Sequence, residues 1–399
     1  MADVLEGFPP DPAGQVTLAN WRTAPFNRWG FQHVREIVPS ADIPNDPNEL
    51  WRLPPVATDF AALRIDDGSG GQAGIDAFLS ATQTDAFIVT HRGHVLAEHY
   101  ANGMGPATPH ILMSVSKSML GLLAGILAGN GVLDPEAPAQ HYVPEIGNSA
   151  FRNATVRQLL DMRSALAFDE DYLATAGPIV EYRKATNWNP LGPGETASDL
   201  RSFLPTLAAT SGPHGGAFNY VSPCTDLLGW IIERAANRRY ADLFSELIWR
   251  PLGAAWPAYI TVDRLGAPRC AGGMCVTALD LARIGQLLVN GGRRGARQIV
   301  PASWIDDIAA NGDPRAWQAG PFLPYFPGRD MHYRAKWYVE RGRHPVLSGL
   351  GIHGQHLFVD RARQIVVVKF SSQAQPLDAG AIRMTSHAVD AIRAMLAEG

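Results

Sequence analysis

Ser114-Val115-Ser116-Lys117 opens the stretch Met119-Leu-Gly-Leu-Leu-Ala-Gly-Ile-Leu-Ala128, which carries no charge and is closed by Gly129-Asn130-Gly131. An apolar run with no polar face reads as a helix buried on all sides, and the Gly-Asn-Gly is an ordinary helix stop. Serine and lysine at i and i+3 share one face of that helix. Its first turn supplies unpaired N–H groups and a positive field, which suit a serine that must become an alkoxide and form an oxyanion nearby. A lysine at ordinary pKa, ~10.4, is a poor base. To act near neutrality it must fall by about three units, ~4 kcal/mol, and burial pushes it that way. Of 34 basic residues only Lys117, Lys184, Lys336 and Lys369 are lysines. A lysine kept inside an apolar helix is therefore chemically suggestive, because arginine cannot give up its proton. SxxK alone also arises by chance, with the serine as an N-cap and the lysine snorkelling.

Outward from this block, Gly68 to Gly74 reads as a turn before a helix. Asp85–Thr90 and Val95–Tyr100, around His91-Arg-Gly-His94, read as a β-hairpin. Residues 136–254 have mostly helical period, at Val156–Met162, Asp199–Leu207, Thr225–Ala236 and Tyr240–Trp249. Ala278–Asn290 is another helix. His353–Asp360 and Gln364–Phe370 are strand-like around a short turn, and Ile382–Leu396 is helical. Strands early and late, with helices between, predict an α/β (α+β) chain. Its sheet is mainly antiparallel, flanked by terminal helices and interrupted by an all-helical region. The division expected is an arm over 1–55 wrapped on the body, an α/β body over 56–135 and 255–399, and a helical region over 136–254, with the active-site cleft between body and helical region.

The 399 residues, 46% hydrophobic, are enough for a sizeable core. With 18% charged residues and a net charge of −4, no basic footprint for nucleic acid is present, and no apolar run would span a bilayer. The N-terminus is acidic and Pro-rich with no signal-like apolar region, and Cys224, Cys270 and Cys275 form no CxxC pair. A reduced, cytoplasmic protein is expected. No G-x-S-x-G elbow, P-loop or HExxH occurs. His91/His94 and His353/His356 are spaced i, i+3 on predicted strands and would face opposite ways, so neither metal nor cofactor is expected. Asp169-Glu-Asp171 reads as a solvated acidic loop.

Ile111-Leu-Met-Ser-Val-Ser-Lys-Ser118 resembles the SxxK element of the serine β-lactamase-like and penicillin-binding-protein family. Thr155-Val-Arg-Gln-Leu-Leu-Asp-Met162 is similar to the helix that follows in that family. Phe218-Asn-Tyr-Val-Ser222 looks like its Y-x-N motif with Ser222 in third place, and Asp280-Leu-Ala-Arg-Ile-Gly285 like a late helix. Phe26-Asn-Arg-Trp-Gly-Phe31, Thr225-Asp-Leu-Leu-Gly-Trp-Ile231 and Ser348-Gly-Leu-Gly-Ile-His-Gly-Gln355 further resemble the 6-aminohexanoate (nylon-oligomer) hydrolase branch, which has carboxylesterase activity.

The resemblance implies a β-lactamase-like fold and roles for particular residues. Ser114 would be acylated, Lys117 would take its proton, and Tyr220 would pass that proton to the leaving group. Backbone N–H groups of Ser114 and Ile352 would form the oxyanion hole. Tyr172 and Trp188 would line the cleft, with Trp337 and His353 as further candidates. Gly349-Leu-Gly351 stands where the family carries K-T-G on a sheet edge, and the lysine is absent. The aspartate that pairs with an ammonium in the branch falls near Arg183, with Glu181 two residues away, and the cleft asparagine is Ala271. A cation in place of a carboxylate repels an ammonium substrate. The expected protein is a serine hydrolase of small carboxylic esters, with amides as an extension, working as a homodimer on a small molecule without nucleic acid or membrane. A β-lactamase or D,D-peptidase, and a non-catalytic binding module of the same fold, are the alternatives.

Overall fold

Late strands buried on both faces set the architecture of this computed structural model, which describes residues 4–68 and 70–397. Ser69, within the Gly-rich stretch 68–74, and the first three residues lie outside it. Seven strands form one sheet in the order 331–334, 337–340, 346–351, 355–360, 365–371, 84–91 and 94–100. Every neighbouring pair is antiparallel. The first five are a meander, and the early hairpin is added to its last strand, so chain regions about 280 residues apart pair directly, as at Val367 with Val89.

Period-2 alternation divides the core. Ala86, Ile88, Val366, Val368 and Phe370 belong to the large core with the central helix Val115–Gly129 and the helix Ala278–Val289. Phe87, Val89, Ile365 and Val367 face the opposite side, against Phe78, Leu79 and the C-terminal helix Ala379–Ala397 through Met384, Ala388, Val389 and Ile392. The central helix is buried all round from Val115 to Leu127. Gly121 and Gly125, one turn apart, lie against the Ala335 carbonyl and the Trp304 indole with no room for a Cβ.

A smaller antiparallel sheet, in the order 40–43, 258–261, 274–276 and 110–111, has no counterpart in the sequence reading. Its first strand comes from the N-terminal segment, which reads as a wrapping arm but also contributes Trp21, Phe31, Val34 and Val38 to a third core cluster with Met113, Trp188 and Tyr259. Between 136 and 254 the structure is helical, including Val156–Leu160, Pro178–Ala185 and Pro223–Ala236. Two further corrections concern the strand pattern. Gly349 and Gly351 lie on an interior strand rather than on a sheet edge. His353 is in a tight turn with φ 60°, not on a strand.

Candidate active site

The small sheet positions Ser114. Its last short strand ends at Ile111, and the next N–H, that of Leu112, donates to the Met274 carbonyl at 2.8 Å. The chain then turns through Met113, whose φ of +44° is left-handed for a non-glycine residue. Such a conformation costs about 1–3 kcal/mol and persists only where surroundings enforce it. Ser114 follows as the residue before the central helix, 9% exposed at the mouth of a cleft.

Lys117, one turn on, is 1% exposed. Its Nζ lies 2.8 Å from Ser114 Oγ and 2.7 Å from the Ala271 carbonyl, and 4.9 Å above the Tyr220 ring. Burial pushes its pKa from 10.5 down to about 7; the Glu170 carboxylate works against that shift, and Arg269 and Lys336 reinforce it. A neutral amine can donate to Ala271 while its lone pair faces the serine hydroxyl. That is the arrangement a general base requires.

Ala271 is fixed in turn. Its N–H donates to Asp226 Oδ1 at 2.8 Å, and Asp226 Oδ2 accepts from the Tyr182 hydroxyl at 2.5 Å and from Arg269. Asp226 and Arg269 are both buried, so each charge neutralises the other. The helix Pro223–Ala236 that carries Asp226 follows directly on Tyr220, so one segment sets both the phenol and the carboxylate.

Tyr220 is 5% exposed. Burial foremost, then the Glu170 charge, raises its pKa above 10, while the hydroxyls of Ser114 and Tyr338 beside it offset part of the rise. The phenol is therefore protonated at neutral pH. Phe322 at 5.1 Å and Tyr338 at 6.4 Å hold its ring.

On the opposite wall, the strand Val346–Gly351 ends beside the serine. A Cβ on Gly351 would stand 2.7 Å from the Leu112 carbonyl and 3.0 Å from the Ser114 nitrogen, so only glycine permits the approach. Ile352 is next and lines the cleft with Ser114. The backbone at Ile352 therefore runs close to the Ser114 nitrogen on the cleft wall.

The other expected residues divide. Tyr172, Trp188, Arg183 and Ala271 line the cleft with Ser114. Trp188 is anchored by Nε1 to Thr261 Oγ1 at 3.1 Å. Arg183 braces the 171–174 loop by donating to the carbonyls of Tyr172 at 2.8 Å and Ala174 at 3.2 Å. Three do not join the site. Glu181 is on the exposed face of its helix, paired with Lys184 at 3.0 Å. His353 lies behind the wall, its Nδ1 2.7 Å from the Gln373 carbonyl, and burial lowers its pKa to about 4. Trp337 is wholly buried in the core, and the next residue on its strand, Tyr338, faces the cleft instead. Among the described residues no group of three or more His, Cys, Asp or Glu side chains could hold a metal ion.

The acidic loop is also different from its sequence reading. Glu170 turns into the cleft, where its carboxylate accepts from the Ser222 N–H at 2.7 Å, from the Ser222 hydroxyl, and from the Tyr172 hydroxyl at 3.3 Å. Arg22 and Arg269 also line the cleft and had no local signal in the sequence.

Comparison with known proteins gives the family. Residues 75–390 match the beta-lactamase family model. The 6-aminohexanoate-dimer hydrolase of Paenarthrobacter ureafaciens is 36% identical over 392 residues, covering 96% of this chain and 97% of that protein. A Bacillus anthracis structure assigned by name to the 6-aminohexanoate-dimer hydrolases superposes with a TM-score of 0.87 at 28% identity, over 97% of this chain and 98% of that one. A D-stereospecific amidohydrolase from Streptomyces shares the fold, with a TM-score of 0.56 at 17% identity over 78% and 97% of the two chains. Among the described residues no helix is long and apolar enough to cross a membrane. With its family model covering most of the chain, and a relative matched nearly end to end, this chain belongs to the beta-lactamase family of hydrolases.

Proposed function

We propose that the protein hydrolyses small carboxylic esters, and more slowly amides, through an acyl-enzyme on Ser114. The observation that carries this reading is the buried Lys117 amine, with its pKa near 7, 2.8 Å from the serine oxygen. Lys117 Nζ takes the Ser114 proton as Oγ bonds to the substrate carbonyl carbon. The carbonyl oxygen becomes an oxyanion held by the N–H groups of Ser114 and Ile352. The C–O or C–N bond then breaks, and Tyr220 gives a proton to the departing oxygen or nitrogen while recovering one from Lys117. Water, deprotonated along the same relay, attacks the ester carbonyl and frees Ser114.

On this reading the body over 56–135 and 255–399 contributes Ser114, Lys117 and Ile352. The helical region over 136–254 contributes Tyr172 and Tyr220, and the segment 1–55 closes one wall. The missing lysine at Gly349-Leu-Gly351 weighs against β-lactam or D,D-peptide substrates. The resemblance to the 6-aminohexanoate hydrolases implies a homodimer acting on a small molecule, which light scattering of the purified enzyme tests for the dimer, and the unpaired Cys224, Cys270 and Cys275 fit a reduced, cytoplasmic protein.

Turnover of 4-nitrophenyl butyrate, with a fluorophosphonate adduct mapped to Ser114 by mass spectrometry, is the expected result. No turnover and no adduct would make the chain a binding module instead.

A further inference from the structure

Three guanidinium groups from distant parts of the chain meet on one wall of the cleft. Arg22 comes from the N-terminal segment, Arg183 from the helix Pro178–Ala185, and Arg269 from the turn before Ala271. With Ser114 and Ile352 they line one lobe of the cleft. Arg269 is matched by Asp226. Arg22 and Arg183 have no carboxylate within ion-pair distance among the described residues. Arg22 donates to the Asn189 amide oxygen and lies 5.7 Å from the Trp188 ring, and its Nε has no acceptor in the protein. Arg183 spends its donors on backbone carbonyls.

Glu170 faces the same space, but its oxygens accept from Ser222 and Tyr172. Three cations against the carboxylates of Asp226 and Glu170 leave this wall one positive charge in excess. Burial foremost holds the Arg22 pKa down to about 9, and repulsion by the charges of Arg183 and Arg269 adds to it. An anion in the space between them would relieve that repulsion.

The position of Tyr220 decides which half of a substrate meets these arginines. Tyr220 lines the two neighbouring lobes of the cleft, with Phe322 and Tyr325, and does not line the arginine lobe. A proton donor must face the leaving group, so the leaving group lies toward Phe322 and the acyl chain extends toward Arg22 and Arg183. We propose that the arginine wall is an acyl-side subsite for a carboxylate, and that the preferred substrates are monoesters or monoamides of short dicarboxylic acids. This rests on the acyl-enzyme reading above and names its substrate class. The ester C–O bond breaks, the Ser114 Oγ–C bond forms, and the leaving alcohol takes the relayed proton. The distal carboxylate stays ionised against the guanidinium groups throughout, and water then releases the diacid.

The test compares three 4-nitrophenyl esters that share a leaving group and a six-carbon acyl chain: the adipate monoester, the hexanoate and the 6-aminohexanoate. The expected order of kcat/KM is adipate, hexanoate, 6-aminohexanoate, with at least tenfold between first and second after subtraction of spontaneous hydrolysis. Arg22→Met and Arg183→Met should each lower the adipate-to-hexanoate ratio at least fivefold, chiefly through KM, and Arg22→Lys should restore part of it. Because Arg183 also braces the 171–174 loop, Arg22→Met carries the comparison if Arg183→Met does not fold. Hexanoate cleaved as fast as adipate, or a ratio unmoved by Arg22→Met, would overturn the subsite while leaving the serine mechanism standing. Failure of all three esters, with Ser114 unlabelled, would instead overturn the mechanism.

Discussion

The sharpest consequence of the site is a pH profile set by one amine. Burial brings Lys117 from 10.5 to about 7. Only the neutral form can take the Ser114 proton. With a pKa of 7 the neutral fraction is about 0.09 at pH 6 and about 0.9 at pH 8, so kcat/KM should rise about tenfold between them with unit slope at the acidic end. Two other buried amines, Lys336 lowered to about 8 and Lys369 lowered to about 7, titrate nearby but do not line the cleft, so the Lys117 variant assigns the limb. Tyr220 and Tyr172 are raised above 10, and His353, behind the wall, is lowered to about 4. The assay is 4-nitrophenyl butyrate hydrolysis from pH 5 to 9, followed at a wavelength where nitrophenol and nitrophenolate absorb equally. A profile flat from pH 5.5 to 8.5, or a limb centred below pH 5, would refute lysine as the base. A Lys117→Arg variant that kept the limb would do the same, since its guanidinium stays protonated.

Lys117→Met should abolish hydrolysis yet raise stability. The depressed folded pKa means the unfolded chain binds more protons between pH 7 and 10.5, so the wild type gains stability as pH rises through that window, and the variant's advantage should be largest at or below pH 7 and fade toward pH 10. With the lost bonds to Ser114 and Ala271 set against the shift, a gain of about 1–3 kcal/mol is expected in urea melts at pH 7; a loss above about 2 kcal/mol would contradict it. Tyr220→Phe should lower kcat about 10²–10³-fold with little change in KM in steady-state assays of an ester with a poor leaving group, because the phenol acts when the leaving group departs. Gly351→Ala should cost about 10–10² in kcat, since its Cβ would press on the Leu112 carbonyl and the Ser114 nitrogen and displace an oxyanion donor; unaltered kcat would argue against that hole. Asp226→Asn should destabilise the fold by about 3–5 kcal/mol in denaturant melts, by leaving the Arg269 charge buried without its partner.

What could be read in the sequence was local or strongly periodic. The all-apolar helix after Ser114, the early hairpin and the strands on either side of the turn at 361–364 carry their signal within a few residues, and the family motifs fixed Ser114, Lys117, Tyr220 and Ile352 as candidates. The strands at 331–334 and 337–340 escaped because the turn between them, Ala335-Lys336, takes left-handed φ values of 47° and 70° without glycine or asparagine to announce it. The same gap explains the choice of Trp337 over Tyr338. Without the register of that strand nothing says which of two adjacent aromatics faces the cleft, and one residue reverses the answer. The small sheet pairs Ser40 with Thr261, and strands of two to four residues give no periodicity to read. Glu170 looks like part of a solvated acidic run until Ser222 folds beneath it. The arginine wall is a tertiary property, built from positions about 90 to 250 residues apart.

That separation bears on how such a site changes its substrate. The acyl-transfer groups depend on a few rigid neighbours: the central helix, the Leu112–Met274 pairing, the Asp226–Ala271 contact and the end of the strand at Gly351. Arg22 and Arg183 touch none of them through side-chain hydrogen bonds; their donors go to Asn189 and to the 171–174 loop. The charge on this wall can therefore be altered without moving Ser114, Lys117 or the backbone at Ile352. Arg269 is the exception. It faces the wall on one side and holds Asp226 on the other, so its replacement disturbs the Lys117 anchor as well as the field. A substrate preference governed by that field follows Coulomb's law. Salt should erode it only modestly at a buried wall, whereas a preference arising from exposed charges would be largely screened over about 10 Å at 0.1 M salt.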